Sequence, residues 1–138
     1  MSLTVYKDVE VKIASYINTY WTYTQVQFPN QQFDPDNLVS WAQMFVSPIS
    51  RKRLCLTGSS GTGQLTKGIL VFNLYTKQNT GTGDIKDLVT HAVDLFNYAE
   101  IATDAGETIH FWESRAEPGR IDGNWWRETV KTDFQVLI

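Results

Sequence analysis

The chain has 138 residues, 42% of them hydrophobic and 20% charged, which suits one globular domain over residues 1–138 and leaves too little for two. Its net charge of -3 gives no general attraction to nucleic acid or anionic membranes, and the single Cys55 excludes an intrachain disulfide. No stretch approaches the roughly 18 apolar residues of a membrane span, and Lys7, Asp8, Glu10 and Lys12 argue against a leader, so a soluble protein made in the cytoplasm is expected.

Val5, Val9, Ile13, Tyr16, Ile17 and Tyr20 fall on one helical face, predicting a helix over about 3–20 with Thr4 or Ser2 as its cap. "TQVQF" (24–28) reads as a short alternating segment, and "QQFDPDN" as a turn. Next, "NLVSWAQMFVSP" alternates Val39, Trp41, Gln43 and Phe45 with Ser40, Ala42, Met44 and Val46, a strand that Pro48 is expected to stop. Leu54 to Thr57 should pair with "GILVFNLY" (68–75), whose two apolar faces mark it as the middle of a sheet. A second amphipathic helix carries Ile85, Leu88, Val89, Ala92, Leu95, Phe96 and Ala99, with Asp84 as expected N-cap and Asp87 in its first turn. "ETIHFWESR" (107–115) alternates as a strand and "EPGRIDGN" reads as a loop. In the last strand Trp126, Glu128, Val130, Thr132, Phe134, Val136 and Ile138 share one face, opposite a wet face of Trp125, Arg127, Thr129, Lys131, Asp133 and Gln135. The order predicts an α+β domain: a mainly antiparallel sheet with two amphipathic helices packed on one face and a long hairpin arm.

The arm, "SRKRLCLTGSSGTGQ", resembles a phosphate loop only in spacing. Gly58 and Gly63 stand where G-x-x-x-x-G-K-[ST] needs them, but Gln64 replaces the lysine and Leu65 the hydroxyl. Nucleotide binding is not expected, and the glycines read as a mobile hairpin tip. His91 and His110 lack a second ligand at i+3 or i+4, so no metal site is expected. Cys55, between Leu54 and Leu56, reads as a small buried hydrophobe rather than a nucleophile. Glu113 with Glu117, or Glu107 with Glu128, could form an acid–base pair, though a solvated charged face explains them better. Arg51, Lys52 and Arg53 form a concentrated basic run in an acidic chain, and Trp125 with Trp126 form an aromatic pair. These five residues are the candidate subunit-interface residues. Neither a catalytic residue nor a cofactor is expected.

Three stretches resemble the phage tail terminators of small siphophages, the lambda-like terminators and related minor tail proteins. "KGILVFNLYTKQNTGTGDIKDLVTHAVDLF" is similar to that family's strand, glycine-containing turn and helix ending in Phe, with Gly68, Gly81, Gly83 and Phe96 in place. "GRIDGNWWRETVKTDFQVLI" resembles its closing strand, and "VQFPNQQFDPD" before "SWAQMFV" resembles the pattern after its first helix. The resemblance implies a non-enzymatic virion protein at the head-proximal end of the tail, synthesised in the host cytoplasm. It would form a homo-oligomeric ring, typically a hexamer, that caps the tail tube, ends its polymerisation and meets the head connector or completion protein. No membrane partner is implied, and nucleic acid enters only as DNA passing through the lumen. The residue pattern leaves two alternatives: another head-to-tail joining or tube protein, or a carbohydrate-binding module using Trp112, Trp125 and Trp126 as a stacking platform.

Overall fold

The computed structural model describes residues 5–53, 64–102 and 107–137. Helix α1 (Val5–Tyr20) buries Val9, Ile13 and Ile17 at successive four-residue steps, and Trp21 extends the stripe through an N–H bond to the Ile17 carbonyl (2.8 Å). Its expected caps, Thr4 and Ser2, lie outside the described residues. Strands β1 (Gln25–Gln27), β2 (Ser40–Arg53) and β3 (Gln64–Lys77) follow, then α2 (Gly83–Phe96), β4 (Glu100–Ala102), β5 (Thr108–Asp122) and β6 (Trp125–Leu137).

All six strands form one sheet in the order β1-β2-β3-β6-β5-β4. The expected mainly antiparallel sheet with helices packed on one face is therefore corrected: the sheet is mixed and curls into a half-barrel. β1 runs parallel to β2, because the chain between them crosses over and returns in the same direction instead of turning back as a hairpin. The curl has a cause in the ladders. Long strands twist, and register shifts at Ser47/Ser50 in β2 and at Phe111/Ser114 and Glu117/Arg120 in β5 bend them further. A single cluster of buried side chains joins both helices to the strands, including Phe72, Phe96, Phe134, Met44, Ile85 and Ile109.

Prolines do not end the strands as expected. β2 continues through Pro48, which falls within its register shift, and β5 continues through Pro118, within another. An irregularity leaves a ladder position unpaired, so the missing proline N–H costs no hydrogen bond there. "EPGRIDGN" is thus mostly strand, and the chain turns only at Gly123 (φ +61) and Asn124. Thr82, not Asp84, occupies the N-cap of α2, and it makes no side-chain cap bond; Asp84 lies in the first turn. The helix ends at Phe96 because Tyr98 takes a left-handed conformation (φ 55) and redirects the chain into β4. The central position of β3, flanked by β2 and β6, agrees with its doubly apolar pattern.

Candidate functional site

One face of the sheet carries ordered cross-strand rows. Register aligns Gln27, Gln43, Asn73, Thr129 and Glu117 across β1, β2, β3, β6 and β5. Hydrogen bonds run along the row: Gln43 Nε2 donates to Gln27 Oε1 (3.1 Å), Asn73 Nδ2 to Gln43 Oε1 (3.1 Å) and Thr129 Oγ1 to Asn73 Oδ1 (2.6 Å). Most buried polar groups in folded proteins are paired, and these are. The neighbouring row holds Trp41, Tyr75 and Arg127, with Trp41 stacked on Tyr75 at 4.0 Å and 7°. Phe33 and Trp125 pack on Trp41 with ring centroids at 5.2 and 5.9 Å. The loop before β2 thus covers one end of this face.

Burial pushes the Tyr75 hydroxyl above its ordinary pKa of 10.0; the Asp122 carboxylate adds to the rise and Arg127 opposes it. A raised folded-state pKa means that the folded state keeps its proton when the unfolded chain has lost it. This contribution is present below pH 10.0 and is lost as pH rises through the folded value. Tyr75→Phe should therefore flatten the decline of urea midpoint above that pH. An unchanged slope in the variant would remove Tyr75 as its source.

Trp125 and Trp126 occupy opposite faces of β6. Trp125 is half-buried against Trp41, whereas Trp126 packs on the edge of the core and its Nε1–H donates to Glu128 Oε2 (3.1 Å). Glu128, only 1% exposed, also accepts from Lys86 Nζ (2.6 Å). That buried, doubly bonded carboxylate was not legible from alternation, which placed Glu128 on the apolar face without a partner.

Arg51, Lys52 and Arg53 pair through their backbone with Thr66, Leu65 and Gln64, at the other end of β3 from Trp125 and Trp126, which pair with Lys77 and Thr76. The fold does not bring the five candidate interface residues together. The described base of the arm also has sheet on its second side, since Leu65 and Thr66 pair with Leu137 and Val136. The glycine tip and Cys55, within residues 54–63, lie outside the described residues.

The other candidates are equally separated. Trp112 is exposed near Lys67, Gly68 and Ile69, whereas Trp125 pairs with Lys77, about 30 Å further along β3 at 3.3 Å per residue. No three-tryptophan platform forms. Glu128 is held by Lys86, and Glu117 pairs with Lys131 (3.1 Å), so neither stands free as half of an acid–base pair. His91 stacks on Tyr23 and His110 lies 3.4 Å from Glu100. Among the described residues no group of three His, Cys, Asp or Glu side chains is placed to hold a metal ion, and no helix is long and apolar enough to cross a membrane.

No protein-family model matches the chain, and no curated protein is recognisably similar in sequence. A solved structure shares its fold with a TM-score of 0.69 at 10% identity, aligned over 96% of this chain and 92% of its own. At that identity the likeness concerns fold alone.

Proposed function

We propose that the chain is a ring-forming structural protein of a long-tailed phage tail, of the terminator type, which caps the tail tube, stops its growth and meets the head connector. One observation carries this reading beyond the sequence resemblance. Both edges of the half-barrel end in three-residue strands, so most of the next strand inward is left open on its outer side. Among the described residues β2 has no outer strand partner from Met44 to Arg53, and β5 has none from Glu113 to Asp122. Such backbone is a template for strand pairing between chains. The two open edges differ in sequence and lie on opposite sides of the sheet. Joining one to the other makes a heterologous contact, which closes into a ring when the rotation allows and otherwise forms a filament.

Negative-stain microscopy of the purified protein, alone and with tail tubes, tests the reading. Discrete rings or blunt, capped tube ends are expected. Open-ended polymers would assign the chain to tube building instead, and particles that remain monomeric with and without tubes would refute ring formation.

A further inference from the structure

We infer that the joint between copies is an antiparallel ladder in which residues 45–50, on the outer edge of β2 in one copy, lie against residues 117–122, on the outer edge of β5 in the next. The inference rests on the ring reading and fixes the register of its contact.

Each open edge carries an irregularity of the same kind. In β2, Ser47 and Ser50 stand opposite Ile69 and Lys67, so three steps match two (50 − 47 = 3; 69 − 67 = 2) and β2 holds one extra residue. In β5, Glu117 and Arg120 stand opposite Thr129 and Arg127, again three steps against two (120 − 117 = 3; 129 − 127 = 2). A strand with an extra residue bends and falls out of step with a regular partner, yet it stays in step with a strand that has the same insertion at the same place. Setting Ser47 opposite Arg120 also sets Ser50 opposite Glu117. The two irregularities then coincide end to end, which no other antiparallel register achieves.

Side-chain parity agrees with this register. Val46 falls opposite Ile121, and Val46 packs against the core cluster, as does Trp126, the ladder partner of Ile121. Both side chains therefore lie on one side of the sheet, whereas a slip of one residue would send them to opposite sides. Ile121 is 64% exposed in the single chain, and Val46 of the next copy would cover it. No like charges meet, because Phe45 falls opposite Asp122, Ser47 opposite Arg120 and Ser50 opposite Glu117. The short edge strands leave the span free: β1 covers Trp41–Gln43 and β4 covers Thr108–His110. Further along β5, the Ser114 N–H is already donated to Asn97 Oδ1 (2.9 Å). Direction fits as well. β2, β3, β6 and β5 alternate, so β2 and β5 run oppositely, and a neighbour rotated about an axis along the strands presents β2 antiparallel to β5. Because β3 and β6 stand between β2 and β5 within one chain, the partner is another copy.

Disulfide trapping tests the register. With the native thiol removed by Cys55→Ser, the pair Ser47→Cys and Arg120→Cys should join assembled subunits, under mild oxidation, into covalent products larger than dimers. Within one chain the two positions are three strand spacings apart, about 14 Å, beyond the roughly 7 Å Cα reach of a disulfide, so any bond joins copies. Ser47→Cys with Ile121→Cys puts the thiols on opposite sides of the sheet and should give no bond. Independently, Ile121→Lys should weaken self-association at least tenfold in sedimentation while preserving the parent's urea midpoint, since the side chain is exposed in the single chain. Rings that form without the disulfide, or an Ile121→Lys variant that assembles like the parent, would overturn this contact and leave the ring reading intact. Covalent products that stop at dimers would support the strand pairing and refute the ring. A parent that is monomeric at every concentration, with and without tail tubes, would overturn both.

Discussion

Replacing Phe96 with alanine should cost about 3–5 kcal/mol in urea unfolding, the loss expected for a large aromatic side chain truncated in a core that collapses incompletely. Phe96 is wholly buried and is the last residue of α2. Its ring meets Phe72 edge-on at 5.3 Å and lies 6.2 Å from Phe111 and 6.4 Å from Tyr16. It therefore ties α2 to α1 and to two strands, β3 and β5, that are not adjacent in the sheet. Tyr16 adds a second tie beside it, since its hydroxyl donates to the Leu95 carbonyl at 2.9 Å. Phe96→Leu, which fills most of the same space, should recover more than half of the loss. A cost below about 1 kcal/mol for the alanine variant would mean that the curled sheet does not depend on this aromatic junction.

Gly119→Ala should lower stability by about 1–3 kcal/mol through overpacking. A Cβ at position 119 would stand 2.6 Å from Cε2 and 2.7 Å from Nε1 of Trp126, and closer still to Cζ2. The indole must move. That movement draws its Nε1–H away from Glu128, leaving a carboxylate that is 1% exposed with Lys86 as its remaining donor. The loss of one charge-assisted bond at a buried site adds to the steric cost. A double-mutant cycle isolates the cause: in a Trp126→Ala background the same glycine substitution should be nearly neutral, because no ring is left to displace. Equal costs in both backgrounds would place the effect in the β5 backbone instead. Tryptophan emission should also shift in Gly119→Ala if the indole becomes more exposed.

Local pattern was enough to find both helices, the central strand and the parity of β6. In each, a spacing of 3.6 or 2 residues is imposed by burial against one core, so Val9, Ile13 and Ile17, or Val130, Phe134 and Val136, record their own secondary structure. Strand ends were less legible. Pro48 and Pro118 looked like stops because a regular ladder needs every N–H, and nothing local announces that the register shifts there. β4 was hidden as well: its three residues follow the apolar stripe of α2, and the reversal at Tyr98 comes without a glycine.

The candidate sites divide in the same way. Composition and order identified the basic run at Arg51–Arg53, the aromatic pair at Trp125 and Trp126, and the departure of the glycine loop from a phosphate-binding pattern, because each is a property of neighbouring residues. Only the tertiary structure decided the rest: that the basic and aromatic groups stand at opposite ends of β3, that Trp112 is remote from the other two tryptophans, that Glu128 is neutralised by Lys86 from α2, and that β2 and β5 each carry an extra residue on an open edge. The physical reason is that strand partners and the parallel return of β1 are non-local choices, fixed when the curled sheet and both helices bury a common core.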